Sequence, residues 1–175
     1  ATVVAGFCLS GMAQALEVNI TAELPSIEVS HNGRKVTVMR NQDPNNSINP
    51  AYAKTSRKCP PFCIQPMELA AGVRTIGELE MLRFLKQVSN GDRSVLVVDS
   101  RSQDSVDRGT IPGSVNIPAA RLDSSEVDPV ALREILEKQF GAKRRNGSWD
   151  FSGARTLVLF CNGPWCGQSP ANIKA

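Results

Sequence analysis

The hydrophobic pattern changes period twice along the chain. Ser26-Ile27-Glu28-Val29-Ser30 and Lys35-Val36-Thr37-Val38-Met39 put an apolar residue at every second position, with Asn32-Gly33 between them. Period two marks half-buried strands, and Asn-Gly between two such runs marks a hairpin turn. The sole histidine, His31, sits in the His31-Asn32-Gly33-Arg34 turn and reads as a solvated polar residue rather than a catalytic base. Residues 41–66 lose all periodicity and are rich in Asn, Pro, Ser and Lys, as expected of a long surface segment. Within it, Pro60 and Pro61 oppose a helix between Cys59 and Cys63. A local disulfide between these cysteines would pin the segment.

Helical spacing begins near Val73. Thr75 with Glu78 fits a capping box, and Leu79, Leu82, Phe84 and Leu85 follow on one face up to Ser89-Asn90-Gly91-Asp92. Val95-Leu96-Val97-Val98 is then a continuous apolar run after a turn, the mark of a strand buried on both faces, as in parallel sheets. The stretch 111–118 predicts a turn and a brief strand. Asp128 caps a helix with Pro129 at its first position, Leu132, Ile135, Leu136 and Phe140 form its apolar face, and Gly141 ends it. Residues 156–160 give a final buried strand. Helices alternating with apolar strands predict an α/β fold, a mainly parallel central sheet flanked by helices, with a small N-terminal β-hairpin extension.

Composition adds compartment and excludes some partners. Of 175 residues, 41% are hydrophobic and 21% charged, which is globular rather than disordered. A net charge of +3 is too mild to argue for nucleic acid, and Lys143-Arg144-Arg145 before Asn146-Gly147 reads as a solvated loop. Residues 1–15 carry no charge and end in Ala13-Gln14-Ala15, which predicts a signal peptide cleaved before Leu16 and export to the periplasm. That run is too short to span a bilayer. Export leaves Cys59, Cys63, Cys161 and Cys166 in an oxidising compartment, with three possible pairings.

Chemistry concentrates in Cys161-Asn162-Gly163-Pro164-Trp165-Cys166-Gly167, which follows the last strand. Active sites of open α/β sheets gather at the carboxyl ends of strands. Ser169-Pro170 offers a helix start just beyond, so Cys161 opens a loop that feeds a helix N-terminus. Backbone N–H groups there favour an anion and raise a thiol's thiolate fraction. Cys161 is therefore the candidate nucleophile. Cys166, five residues on, could resolve an oxidised or persulfidated Cys161 as a disulfide. Neither cysteine pair has the C-x2-C spacing of a zinc knuckle, and no phosphate-binding glycine loop is present, so no metal or cofactor is expected.

Two separated stretches resemble the rhodanese-like sulfurtransferases. Val97-Val98-Asp99-Ser100-Arg101, followed by Arg108-Gly109-Thr110-Ile111-Pro112-Gly113-Ser114-Val115-Asn116-Ile117-Pro118, is similar to that family's D-x-R … G-H-I-x-G-A-x-N-I-P signature. Leu157-Val158-Leu159-Phe160-Cys161 resembles its junction of strand and active loop. The resemblance covers residues 72–175, after a signal peptide over 1–15 and a β-rich extension and linker over 16–71. It implies that Cys161 forms a persulfide and passes sulfane sulfur to a thiol or cyanide, as thiosulfate:cyanide sulfurtransferases do. It implies supporting roles for Asp99 and Arg101, and partners that are a small sulfur donor and a thiol acceptor. Family members continue past the position of Ala175 with more helix and strand, so the resemblance also implies a fragment truncated at the C-terminus.

The chain departs from the family pattern in three places. Thr110 stands where the family usually has His. Residues 162–167 hold no Arg or Lys, whereas thiosulfate-selective members often place a cation there. Position 167 is Gly, which excludes the C-x5-R loop of the related phosphatases. Two other functions therefore stand beside sulfur transfer: a non-catalytic binding or sulfur-carrier module, and a thiol–disulfide redox protein using Cys161 and Cys166. The N-terminal extension could serve as a docking surface for a protein partner.

Overall fold

A computed structural model describes residues 17–50, 52–53 and 56–175 of the chain. The expected signal peptide lies outside the described residues. In chain order the elements are β1 (Ser26–His31), β2 (Arg34–Met39), α1 (Glu78–Ser89), β3 (Val95–Asp99), α2 (Gln103–Asp107), β4 (Val115–Asn116) and a 3-10 turn at Ala119–Arg121. There follow α3 (Pro129–Glu134), which runs on as a π-helical turn over Ile135–Phe140, then β5 (Lys143–Arg145), β6 (Ser148–Asp150), β7 (Thr156–Phe160) and α4 (Gln168–Lys174).

The sheet is the predicted one. β3 lies between β4 and β7, parallel to both, and Val95 to Asp99 register against Thr156 to Phe160. All five residues of β3 are buried, because both faces are covered. Val95 and Val97 point one way and meet Val158, Leu82 and Leu85 of α1, and Ile27 and Val29 of β1. Leu96 and Val98 point the other way and meet Ile117, Leu122, Ile135 and Phe140. Period-two alternation along one strand thus builds two cores. β7 has only Val158 fully buried, since it is an edge strand among the described residues.

The expected β1–β2 hairpin forms, with His31 paired to Arg34 and Asn32-Gly33 as its turn. It is tied down at two points. The Ser30 N–H donates to Ser89 Oγ of α1 at 2.8 Å, and the Gly113 N–H donates to His31 Nδ1 at 3.1 Å. His31 is therefore a docking residue rather than a free solvated one. The basic run at 143–145 is exposed as expected, but as a strand of a second hairpin.

Two helix starts differ from expectation by two residues. α1 begins after Gly77, whose N–H donates to Glu80 Oε2 at 3.1 Å, while the Thr75 hydroxyl donates instead to the Met67 carbonyl. α4 begins after Gly167, so Ser169 lies inside its first turn with a buried hydroxyl rather than at its cap. The Thr75 hydroxyl is taken by another acceptor, whereas no side chain caps α4. Asp128 does cap α3, accepting from the Val130 N–H at 3.1 Å, and Gly141 (φ +78°) ends the π turn in the left-handed region.

Candidate active site

Parallel pairing brings two strand ends to one edge. Asp99 registers against Phe160, and the Ser100 N–H donates to the Phe160 carbonyl at 3.2 Å. Residues 100–101 and 161–162 therefore leave the sheet side by side. This is where the sequence expected chemistry to gather.

Beneath the edge lies a buried ionic network. The Asp99 side chain is fully buried and that of Arg101 is 10% exposed. Arg101 Nε donates to Asp99 Oδ1 at 2.9 Å, and its Nη2 donates to Oδ2 at 2.6 Å. Thr110 Oγ1 also donates to Oδ2, at 2.7 Å, and the Arg101 N–H to Oδ1, at 3.0 Å. Burial alone would push the Asp99 carboxyl up. The bonds from Arg101 and Thr110 outweigh it and hold the carboxyl below its usual range. Asp99 in turn raises the Arg101 guanidinium above its ordinary value, against the opposing effect of burial. Asn116 locks the backbone by donating from Nδ2 to the carbonyls of Asp99 (2.9 Å) and Arg101 (2.8 Å). Thr110 thus fills the usual His position with a hydroxyl that serves the carboxylate.

Arg101 also reaches the loop. Its Nη1 donates to Asn162 Oδ1 at 3.2 Å, and its Nη2 to the Gly109 carbonyl at 2.8 Å. The ion pair is therefore coupled to the residue next to Cys161. A cavity of about 340 Å³ opens here, and Cys161, Asn162, Arg101, Thr110, Phe160 and Tyr52 are among the residues that line it. A hollow of about 410 Å³ between β1 and α1 holds no cysteine and lies away from this chemistry.

Cys161 and Cys166 are joined as a disulfide, with Cα atoms 6.2 Å apart, and Cys59 is joined to Cys63, with Cα atoms 4.6 Å apart. Both separations are ordinary for disulfides. The turn that returns Cys166 to Cys161 is held by the Cys166 N–H donating to the Gly163 carbonyl at 2.9 Å. Gln168 Oε1 lies 3.3 Å from Cys161 Sγ and 3.4 Å from Cys166 Sγ. Neither sulfur of a disulfide has a proton to donate, so these are contacts here; in the reduced pair either thiol can donate to that oxygen. Gly163 is required by close approach. A Cβ on it would lie 2.8 Å from the Trp165 ring.

All the expected site residues come together. Cys161, Asn162, Gly163, Trp165 and Cys166 form the turn, Pro164 lends its carbonyl, Gly167 starts α4, and Asp99 and Arg101 support from below. Sequence reasoning missed Tyr52, Arg57 and Gln65. The Arg57 guanidinium lies 4.7 Å from the centroid of Trp165, and the Gln65 N–H donates to the Pro164 carbonyl at 2.7 Å. The loop has no cation of its own, yet arginines approach it from two other parts of the chain. Only the disulfide-prone spacing of Cys59 and Cys63 hinted that this aperiodic stretch was anchored.

Among the described residues no three His, Cys, Asp or Glu side chains gather to hold a metal ion, and no helix is long and apolar enough to cross a membrane. A family model described as the rhodanese-like domain matches residues 83–175, just over half of the 175-residue chain. No curated protein and no solved structure matches it.

Proposed function

The chain belongs to the rhodanese-like domain family, and from that premise we propose that it is a sulfurtransferase with Cys161 as nucleophile. The observation that carries this reading is the position of Cys161 at a strand end, in a cavity also lined by Arg101, which the buried Asp99 carboxylate holds in place. The reduced Cys161 thiolate attacks the outer sulfur of a donor. The new S–S bond forms as the donor's own S–S bond breaks, and the donor leaves with that electron pair. A thiolate or cyanide acceptor then attacks the outer sulfur of the persulfide, and the pair returns to Cys161.

The donor in this reading is a persulfide or polysulfide rather than thiosulfate. Asp99 already neutralises Arg101, and residues 162–167 carry no cation to attract a dianion. The disulfide of Cys161 with Cys166 is the resting oxidised form. A dithiol reductant opens it, giving up two electrons and two protons and becoming a disulfide itself. The proposal includes export: the Ala13-Gln14-Ala15 ending supports cleavage before Leu16, and two disulfides suit an oxidising compartment. It also keeps the division into 1–15, 16–71 and 72–175.

The test is turnover. Reduced protein should move sulfur from a polysulfide to a thiol with a higher kcat/KM than from thiosulfate, and Cys161→Ser should abolish both. Transfer that persists in Cys161→Ser overturns the assignment. The Cys161–Cys166 bond favours one second reading, thiol–disulfide exchange. That reading requires loss of activity in Cys166→Ser, whereas sulfur transfer survives it.

A further inference from the structure

Residues on either side of the turn closed by Cys59–Cys63 touch the Cys161 loop at two points, although roughly a hundred residues separate them in sequence. Arg57 provides the first contact. Its guanidinium carbon lies 4.7 Å from the Trp165 centroid and 5.5 Å from that of Phe62. Its Nε is shielded from solvent and has no hydrogen-bond partner, so the aromatic faces are what the guanidinium meets there. Gln65 provides the second, through its N–H on the Pro164 carbonyl at 2.7 Å. Phe62 lies inside the ring that the Cys59–Cys63 bond closes, and its N–H donates to the Lys58 carbonyl at 3.0 Å. The disulfide thus fixes one of the two rings that Arg57 faces.

On the loop side, Trp165 lies against Gly163 so closely that only a glycine fits. Gly163 supplies the carbonyl that receives the Cys166 N–H. The chain of contacts therefore runs from Arg57 to Trp165 to Gly163 to Cys166, and ends at the Cys161 sulfur.

We propose that Arg57, braced by the Cys59–Cys63 turn, is a positioning residue that holds Trp165 and so favours the loop turn in which Cys166 reaches Cys161. The inference rests on Cys161 being the reactive thiol and names what regulates it. Arg57 acts on the balance between the closed disulfide and the open nucleophile. It touches neither donor nor acceptor. In the opening step, two molecules of reduced glutathione supply two electrons and two protons to Cys161–Cys166, and become one molecule of glutathione disulfide.

The experiment equilibrates the 175-residue chain in glutathione buffers and reads the fraction of Cys161–Cys166 disulfide by alkylation and mass spectrometry. A cation held on a partly desolvated indole favours the closed form, so Arg57→Ala should shift the equilibrium constant toward the dithiol by about two- to thirtyfold. Arg57→Lys keeps the charge and should recover part of the shift. In a Trp149→Phe background, Trp165 emission should change in Arg57→Ala and recover partly in Arg57→Lys. Cys59→Ser/Cys63→Ser leaves Arg57 in place, frees Phe62, and should move the equilibrium in the same direction by less. Far-UV circular dichroism identifies any variant that fails to fold, and the double serine variant then carries the test. An unchanged equilibrium in the folded variants overturns the proposal. The readout does not involve sulfur uptake. A shifted equilibrium in a protein that never forms a persulfide would leave this inference standing and remove the sulfurtransferase reading; the reverse pattern would do the opposite.

Discussion

Arg101→Met tests the buried pair beneath the site. The substitution keeps the bulk of the side chain and deletes the guanidinium. Asp99 then loses the Nε and Nη2 donors and keeps Thr110 Oγ1 and the backbone N–H at position 101. Its carboxylate is fully buried, so water cannot replace the lost partners. Removing one partner of a buried ion pair destabilises by about 3–5 kcal/mol, because the remaining charge is left uncompensated. Replacing both partners with apolar residues, as in Asp99→Leu/Arg101→Met, should cost less than the single change. The pH dependence carries a sign. In the native protein the folded Asp99 pKa lies below the unfolded value, so its stabilisation is present above about pH 4 and fades as pH falls through the folded pKa. In Arg101→Met burial dominates and raises that pKa, so acid relieves the variant instead. Urea unfolding followed by circular dichroism should show a gap between the proteins that is wide at pH 7.5 and narrower near pH 4.5. A deficit under 1 kcal/mol at pH 7.5, or a gap that widens in acid, would refute the reasoning.

Other outcomes follow from packing and capping. Leu85 is 1% exposed where α1 meets β1 and β3, so Leu85→Ala should lower stability by about 2–5 kcal/mol in the same urea assay. Asp128→Ala removes the side-chain cap of α3 and should cost about 1 kcal/mol, with Asp128→Asn close to the parent. Thr110→Val deletes one bond to the Asp99 carboxylate and should cost about 1.5–3 kcal/mol, while Thr110→Ser should retain most of the stability. Cys166→Ser should abolish the loop disulfide and speed alkylation of Cys161 in oxidised samples, measured by mass spectrometry.

The sequence was most legible where one physical requirement dominated. Val95-Leu96-Val97-Val98 had to be a strand buried on both faces, and Asp128-Pro129 with Gly141 bracketed a helical stretch whose apolar face agreed with them. Cys161 was legible as a strand-end residue because the apolar run before it set the strand. Elsewhere a good local signal did not decide the structure. Thr75 and Ser169 are good cap residues, but neither hydroxyl caps its helix, so those starts moved by two residues. The contacts of Arg57, Gln65 and Tyr52 with the site were not legible at all. They join an aperiodic segment to a distant loop, and no periodicity records a contact of that kind. The role of Thr110 was hidden for a similar reason: a hydroxyl aimed at a buried carboxylate is visible only once the carboxylate has been placed.

The central claim is that Cys161 carries sulfur. Reduced protein, freed of reductant and treated with a polysulfide, should gain sulfur that peptide mapping by mass spectrometry locates on Cys161, with Cys161→Ser unlabelled and Cys166→Ser labelled like the parent. Sulfur found on Cys166 alone, or none on Cys161 with any donor, would contradict it.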